Sequence, residues 1–424
     1  MKIDNSILWI TPKWPLPAHD GAKVATTQLL KHSTRLGLKI DLLSLIEPSD
    51  CPNVQEARNT LGVRNVFLLN KPPTSTGLKR YLKFLSSFLK SPQRPITIAP
   101  FSSPTLQSQF EQILTSRPYT IVFDGLHTAA LKSTATSIRA YPKGSTLIYR
   151  AHNVEADLWV QSAQQSRFFL KKLFFQLQAK NVERFEQSLI SAASLTATVS
   201  EADLLRFQKN CPEMNGFNIP IGIDIPAEEI DPPLSDSGRN TLLFLGKLDW
   251  TPNSEGLKWF LRKIWPKVQQ RRPSLKLRIA GKGNGKWLSE FANLPNLEIL
   301  GFVENTKPLY EECVLAIIPI FLGSGTRVKV IEASTYSRVT LSTALGVEGT
   351  SLVPHESYFR ADTENEWLSA LSRFQHDQAI TMGHKAFEQI SKNFCAKLSA
   401  EKFASSLSNS SSSSFNRYYY GISG

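Results

Sequence analysis

The chain has 424 residues, of which 41% are hydrophobic and 20% charged, and its formal net charge is +13. This length suggests two or three domains, and the apolar content is enough to build cores, which excludes a wholly disordered chain. Neither a Gly-X-Y repeat nor a sustained heptad occurs, so collagen-like and coiled-coil proteins are excluded as well. The longest apolar runs fall well short of the ~18 residues that a membrane-spanning helix needs.

The cysteines Cys51, Cys211, Cys313 and Cys395 lie far apart and form no CxxC pair. This spacing indicates neither a disulfide framework nor a zinc site, and free thiols fit a reducing compartment. The N-terminus has only a short apolar run before Pro12, which predicts a first strand and not a signal peptide. We therefore expect a cytoplasmic protein.

The first half of the chain reads as strands that alternate with helices. An apolar run at residues 6–11 is followed by a proline-rich turn, a helical pattern over 24–36 and a second apolar run at 40–45. Strand, helix and strand in this order form a βαβ unit, which implies a parallel sheet. Further strands are predicted at 120–123, 146–149 and 195–199.

The same pattern restarts after Pro220, and a linker is expected at 206–225. The second half predicts a helix at 254–269 and strands at 242–245, 275–280, 296–300, 315–319 and 340–342. Two parallel sheets covered by helices predict two doubly wound α/β domains. We place these domains at residues 1–215 and 216–390, followed by a helix at 391–408 that returns to the N-terminal domain and a disordered serine-rich tail at 409–424.

Basic charge is concentrated in the first half, since residues 57–110 hold eight basic residues and no acidic one. Within them, residues 78–90 predict an amphipathic helix whose cations lie off its apolar face: Lys79, Arg80, Lys83 and Lys90. Such a helix suits an anionic membrane surface, and the alternative is a helix packed on its own domain with solvated charges. No nucleic-acid module is recognisable, so we expect no nucleic-acid partner.

Residues 167–185 are rich in aromatic side chains that keep to no narrow stripe. They predict a long helix that is partly buried between its neighbours. The alternative is a hydrophobic wall near an acceptor site.

The strongest motif, FLGSGTRVKVIEA, follows the predicted strand at 315–319. Gly323 and Gly325 allow the backbone to approach a ligand closely, and Ser324 and Thr326 supply hydroxyl groups. The amides at the start of the following helix predict an anion site that suits a diphosphate.

Charged side chains accompany this glycine loop. Arg327 and Lys329 add positive charge, and Glu332 can accept hydrogen bonds from vicinal hydroxyls such as those of a ribose. Gly246 and Lys247 end another predicted strand, so both are expected to face the same phosphates. The turn IAGKGNG at 279–285 predicts either a third ligand loop or a simple tight turn.

These motifs resemble those of the family 4 (group 1) glycosyltransferases of the GT-B fold, in particular bacterial enzymes of exopolysaccharide and cell-surface glycan synthesis. The matching strings are LGKLDWTPN, IWP, IAGKG, GFVEN and GSGTRVKVIEA in the second half, and YRAHNVE and VSEAD in the first. The resemblance implies two Rossmann-like, doubly wound domains that face each other across a central cleft. It also implies that the C-terminal domain binds a nucleotide sugar and the N-terminal domain an acceptor, with retention of anomeric configuration and without an essential metal or cofactor.

The resemblance also assigns residues in the second half. Glu332 corresponds to the second Glu of the family's Glu-x7-Glu motif, which binds the ribose. Ser324 stands where the first Glu would face the transferred sugar, which is a departure from the family pattern. Lys247 stands where the family often has an arginine for the diphosphate, and Gly301 to Val303 resembles the loop that reads the nucleobase.

In the first half, Gly21 matches one member of the family's glycine pair, and Asp20 occupies the other position. His152 and Asn153 follow a predicted strand, and His127 follows another. Their positions after strands, at the expected cleft, predict contacts with the sugar or the acceptor, and the motif YRAHNVE supports this for His152. The alternative for each histidine is a structural role.

The resemblance implies a retaining, metal-independent glycosyltransferase, and with the motifs above it predicts His152, Arg327 and Lys329 as catalytic residues. Its expected partners are a nucleotide sugar, a glycan or lipid-linked acceptor and, through residues 78–90, the inner face of a membrane. One alternative is a catalytically weak subunit that binds a sugar nucleotide and supports a partner transferase, as the loss of the first Glu allows. The other is a nucleotide-sugar epimerase, for which the sequence shows no carboxylate cluster.

Overall fold

A computed structural model describes residues 6–48, 50–72, 91–115, 119–131, 145–226, 236–323 and 325–417. The chain divides into two compact units. The first consists of Met1–Pro17, Thr26–Pro220 and Ser399–Gly424, and the second of Ala18–Ala25 and Ile221–Leu398. The change to the second unit and the return to the first therefore lie further along the chain than the boundaries expected at 216 and 391.

In its described part, the first unit has a seven-stranded parallel sheet in the order β3-β2-β1-β4-β5-β6-β7. Its strands are β1 (Ile7–Thr11), β2 (Ile40–Ile46), β3 (Val66–Asn70), β4 (Thr120–Asp124), β5 (Thr146–Ala151), β6 (Leu195–Thr198) and β7 (Gly216–Asn218). Strand order reverses between β1 and β4, which makes this pair the topological switch point of the sheet. The strands β3 and β7 were not predicted, because β7 has three residues and β3 is mostly half-buried.

Alternate residues of these strands fill two separate cores. Leu8 and Ile10 pack into one core and Ile7 and Trp9 into the other, because successive side chains of a strand point to opposite faces. Both faces of the sheet are therefore covered, as near-continuous apolar strands indicate. The covering helices are α1 (Gly21–Arg35), α2 (Val54–Leu61), α3 (Pro104–Leu114), α4 (Glu155–Gln165), α5 (Phe169–Ala192) and α6 (Glu201–Asn210).

One prediction for this unit is corrected. The linker expected at 206–225 is shorter, because α6 continues to Asn210 and β7 pairs with β6. The aromatic segment forms a long, partly buried helix as predicted, with Gln178 and Val182 buried, but Phe168, Phe169 and Leu170 at its start are 73–78% exposed. The predicted basic helix at 78–90 lies outside the described residues.

The second unit is also a parallel sheet, and its six strands in the described residues have the order β10-β9-β8-β11-β12-β13. They are β8 (Thr241–Leu245), β9 (Lys276–Ala280), β10 (Leu297–Gly301), β11 (Leu315–Ile318), β12 (Val339–Ser342) and β13 (Tyr358–Arg360). Its switch point lies between β8 and β11. The helices are α7 (Asp236–Arg239), α8 (Thr251–Trp259), α9 (Trp265–Arg271), α10 (Lys307–Glu311), α11 (Val328–Thr335), α12 (Glu364–Arg373) and α13 (His376–Asn393).

The single helix predicted at 254–269 is interrupted. A π-helical turn, Phe260–Ile264, joins α8 to α9, and the Trp265 amide donates to the Phe260 carbonyl. Pro266 follows at once and has no amide hydrogen, so it cannot continue the regular hydrogen-bond ladder. The wider turn accommodates this missing donor.

The last helix, α14 (Ala396–Arg417), packs on the core of the first unit, where the Phe403 ring lies 5.3 Å from the Trp9 ring. It continues through residues 409–417, which were predicted to be disordered. Before residue 409, serine hydroxyls of this helix donate hydrogen bonds to carbonyls one turn earlier, as Ser405 does to Glu401 at 2.8 Å, so the helix tolerates these serines. Among the described helices, none is long and apolar enough to cross a membrane.

Candidate functional site

Glycine turns surround the carboxyl ends of the strands at the switch point of the second unit. The Gly246 amide, just after β8, donates to the Ala280 carbonyl at 3.1 Å. A Cβ atom on Gly281 would lie 1.7 Å from the Gly246 carbonyl oxygen, so only glycine allows this approach. After β11, Gly323 and Gly325 have φ angles of +106° and +83°, in the left-handed region. Backbone without side chains, at these glycines, therefore lies at the strand ends where doubly wound sheets bind ligands.

Lys329 lies in the first turn of α11 and reaches the end of β8. Its Nζ atom donates to Oδ1 of Asn253 at 2.6 Å and lies 4.9 Å from the centre of the Phe244 ring. Nδ2 of Asn253 in turn donates to the Lys247 carbonyl at 2.8 Å. A Cβ atom on Gly246 would lie 2.9 Å from the Lys329 amine, so a larger residue there would displace it. The amine is thus held at the switch point by Asn253.

Arg327 directly precedes α11, is buried, and holds its guanidinium 5.8 Å from the centre of the Trp250 ring. Burial and the neighbouring charge of Arg327 lower the pKa of Lys329 from 10.5 to about 7. Two desolvated cations at the N-terminal end of a helix favour a bound anion, which would restore the charged form of the lysine. The structure therefore places the two cations of the predicted anion site together at the start of α11, and the binding of an anion there stays a prediction.

The remaining polar members of the predicted loop have other neighbours. The Thr326 hydroxyl donates to the Gly349 carbonyl at 3.4 Å. Nζ of Lys247 lies 3.5 Å from the Asp249 carboxylate, and both side chains are substantially exposed. The phosphate role of Lys247 therefore stays a prediction, and Ser324 lies outside the described residues.

Glu332 lies about one turn further along α11. Its Oε1 accepts a hydrogen bond from the Thr306 hydroxyl at 2.8 Å, and the Tyr310 hydroxyl donates to the same carboxylate. Burial raises the pKa of Glu332, and these two hydrogen bonds partly offset the effect. Thr306 ends the loop that begins at Gly301, and Val303 in this loop is half-buried against the core. The structure thus places Glu332, which was predicted to bind the ribose, beside the end of the loop that was predicted to read the nucleobase.

A buried ionic cluster occupies the carboxyl ends of β4 and β5 in the first unit. Oδ1 of Asp124 accepts from Arg150 at 2.7 Å and lies 2.6 Å from Nε2 of His152. Oδ2 accepts from the Trp9 indole at 3.0 Å and from the Thr26 hydroxyl. Burial alone would raise the pKa of Asp124, but Arg150 and His152 more than offset it and hold that pKa well below its usual range. The charged carboxylate therefore orients the His152 ring.

The other site residues predicted in the first half lie on three different elements. The His127 ring lies on a 3₁₀ helix and packs 5.4 Å from the Phe101 ring. Asn153 is half-buried in the turn before α4. Gly21 begins α1 and is counted with the second unit, where a Cβ atom on it would lie 3.0 Å from Cγ2 of Val328.

Sequence reasoning missed Asp124, Arg150 and Asn253. Asp124 and Arg150 could have been found, because each is a charged residue near the carboxyl end of an apolar strand, where parallel sheets present their ligand groups. Asn253 lies in the quoted string LGKLDWTPN, but no spacing rule connects it to Lys329. In the part of the chain that the structure describes, no three His, Cys, Asp or Glu side chains are placed together to hold a metal ion.

Two parallel sheets covered by helices, with cations at the switch point of the second, define the doubly wound class of α/β proteins. Residues 239–377 match the family described as glycosyl transferases group 1. The resemblance seen in the motifs to the group 1 glycosyltransferases is therefore confirmed.

Solved structures share the fold over almost the whole chain. Sucrose-phosphate synthase from Thermosynechococcus elongatus superimposes with a TM-score of 0.66 at 14% identity, over 95% of this chain and 98% of that one. Anabaena HepE in complex with UDP and glucose superimposes with a TM-score of 0.63 at 15% identity, over 96% of this chain and 100% of that one. For Staphylococcus aureus TarM, in complex with fondaparinux, alpha-GlcNAc-glycerol and UDP, the TM-score is 0.65 at 11% identity, over 95% of this chain and 99% of that one. These similarities confirm the GT-B fold class of two Rossmann-like units.

A sequence relative comes from Klebsiella pneumoniae and is described as an uncharacterized 44.6 kDa protein in the cps region. It is 23% identical to this chain over 414 residues, which cover 92% of this chain and 97% of the relative. The likeness therefore extends through both units and beyond the matched family segment.

Proposed function

We propose that the protein is a retaining glycosyltransferase that moves a sugar from a nucleotide sugar to a glycan or lipid-linked acceptor in surface polysaccharide or glycolipid synthesis. HepE and TarM were each solved with UDP, so a UDP-sugar is the first donor to test. The Klebsiella relative belongs to a cps region, which supports a role in polysaccharide synthesis.

The observation that carries this proposal is the pair of cations at the start of α11. Lys329, with a pKa of about 7, and the buried Arg327 lie beside the glycine turns of the switch point. A diphosphate supplies negative charge that suits two neighbouring cations, and the glycines allow its oxygens to reach backbone amides. Glu332, one turn away, is close enough along the helix to serve the ribose of the same nucleotide.

Sugar transfer breaks the bond between the anomeric carbon and a diphosphate oxygen, and negative charge grows on that oxygen. Lys329 is already held by Asn253, so its charge can stabilise the leaving group without first being reoriented. For retention, the acceptor hydroxyl attacks on the face that the diphosphate leaves, and the departing phosphate takes the hydroxyl proton. This route needs no protein nucleophile, and its main requirements are positioning and electrostatics.

In the first unit, we propose that His152 contacts the acceptor. Asp124 fixes the ring through Nε2 at 2.6 Å, which is the kind of support that a positioned imidazole requires. Asn153 and His127 are further candidates for acceptor contacts. The resemblance alone supports transfer without a metal or cofactor.

Incubation of the purified protein with a panel of nucleotide sugars tests the proposed function. We expect slow release of the nucleoside diphosphate without an acceptor, a freshly formed sugar with the anomeric configuration of the donor, and the same rate in the presence of EDTA. Binding without any release would support the catalytically weak subunit instead. Conversion of the donor to its epimer would support the epimerase.

Replacing Glu332 by alanine is expected to weaken nucleoside diphosphate binding by about 1–3 kcal/mol, the scale of a charge-assisted hydrogen bond to a ribose. Calorimetric titration measures this loss. The matched control is Thr306→Val, which removes an internal hydrogen bond of Glu332 but keeps the carboxylate, and it should leave the affinity nearly unchanged. Equal losses in both variants would assign Glu332 a structural role only.

A further inference from the structure

The start of α5 presents large apolar side chains to solvent. Phe168, Phe169 and Leu170 are 73%, 77% and 78% exposed, and Leu173 on the next turn is 54% exposed. Every residue from 167 to 173 is exposed, and we call this segment the α5 tip. Apolar side chains that are contiguous and uncovered in this way mark an interaction surface.

The α5 tip is also cationic. Arg167, Lys171 and Lys172 lie among its apolar residues, and Lys180 follows two turns later. Residues 158–182 contain no acidic residue, so nothing in this stretch of sequence neutralises these charges. A partner for the tip must therefore offer both apolar contact and negative charge.

The tip is held in place by the helices behind it. Trp159 on α4 packs its ring 6.5 Å from the Phe174 ring and 5.7 Å from the Phe175 ring, just after the tip. The helix begins without a polar cap, because Phe168 is the N-cap residue and has no side-chain oxygen that could accept a hydrogen bond, and its first turn has no acidic residue. No carboxylate of the first turn therefore offsets the partial positive charge of this helix end.

We propose that the α5 tip inserts into the surface of an anionic lipid bilayer, with Phe169 and Leu170 among the acyl chains and the three cations on headgroup phosphates. A bilayer of this kind supplies apolar contact and negative charge together. A second copy of the chain suits the tip less, because a two-fold contact would oppose its cations with themselves. This inference does not rest on the proposed glycosyl transfer.

Flotation of the purified full-length protein with vesicles tests the proposal. The vesicles contain phosphatidylcholine and phosphatidylglycerol in equal parts, or phosphatidylcholine alone. We expect the wild type to bind the anionic vesicles, and Phe169→Ser/Leu170→Ser to weaken that binding roughly 100-fold. Replacing Arg167, Lys171 and Lys172 by glutamine should cause a similar loss, and added salt should weaken wild-type binding.

The matched control is Leu36→Ser/Leu205→Ser, which removes two exposed leucines of the first unit outside the tip and should bind like the wild type. Unchanged urea unfolding and nucleotide binding would show that the tip variants are folded. The proposal would be overturned if the wild-type protein did not bind anionic vesicles. It would also be overturned if the tip variants bound these vesicles as well as the control variant does. Equal binding to both vesicle types would overturn its electrostatic part. A dimer that the tip variants convert to monomer, with unchanged vesicle binding, would assign the tip to a second copy instead.

Discussion

Lys329→Met is expected to lower the turnover of sugar transfer roughly 100- to 1,000-fold, the range seen when one preorganised charge-stabilising donor is removed. The amine is positioned by Asn253 at 2.6 Å, and methionine keeps the length of the side chain while removing its charge. The loss should fall mainly on the chemical step, because negative charge on the diphosphate increases as the sugar departs. Release of the nucleoside diphosphate under saturating donor measures the effect.

The matched control for this variant is Lys267→Met. Lys267 lies on α9 of the same unit, its side chain is half-exposed, and its amine pairs with the Glu364 carboxylate. We expect its turnover to remain within a few-fold of the wild type, since exposed charges are screened by solvent. Binding of the nucleoside without phosphates should be nearly unaffected in both variants. Its loss in Lys329→Met would show that the lysine supports the structure of the site and not the leaving group.

Asp124→Asn is expected to lower the free energy of unfolding of the first unit by about 3–5 kcal/mol. The substitution removes the charge that faces Arg150, whose side chain is 1% exposed, and leaves that guanidinium buried without its counter-ion. Amide and carboxylate have nearly the same shape, so little of the loss can come from packing. Urea unfolding, followed by circular dichroism, measures the change.

Asp157→Asn is the matched control for Asp124→Asn. Asp157 pairs with Arg206 at 2.9 Å in the same unit, but both side chains are about one-third or more exposed, so we expect a loss below about 1 kcal/mol. Combining Asp124→Asn with Arg150→Met should restore part of the stability, because the double variant no longer buries an unpaired charge. Additive losses in the double variant would contradict this explanation.

The fold could be predicted from the sequence to a large extent. The strands of both switch points, β1, β4, β8 and β11, are short apolar runs bounded by turns, and this pattern alone indicates buried parallel strands. The strands β7 and β13 were missed because three residues form no recognisable pattern. The π-helical turn before Pro266 depends on local hydrogen bonds, which composition does not reveal. The helix α14 continues beyond residue 408, where the run of serines had predicted disorder.

The candidate site was predictable where chemistry is local in sequence and not where it is assembled by the fold. Arg327, Lys329 and Glu332 belong to one motif, and the structure places all three on or beside α11. The supporting residues come from distant segments, as Asn253 does for Lys329 and Thr306 for Glu332. The partial burial of α5 was predicted, but the sequence did not show which of its turns are exposed, because its hydrophobic residues keep to no clear stripe.

The central claim is that the second unit binds the diphosphate of a nucleotide through Lys329, and calorimetric titration with UDP across pH tests it most directly. The pKa of Lys329 without ligand is about 7, below its ordinary 10.5, so above pH 7 the neutral amine must take up a proton to bind the diphosphate. We expect the affinity to fall as pH rises from about 7 to 9, by up to tenfold per unit, with proton uptake on binding. Lys329→Met should bind weakly and without this pH dependence. Failure of the wild type to bind UDP, GDP or ADP at neutral pH, or the same pH dependence in the variant, would contradict the claim.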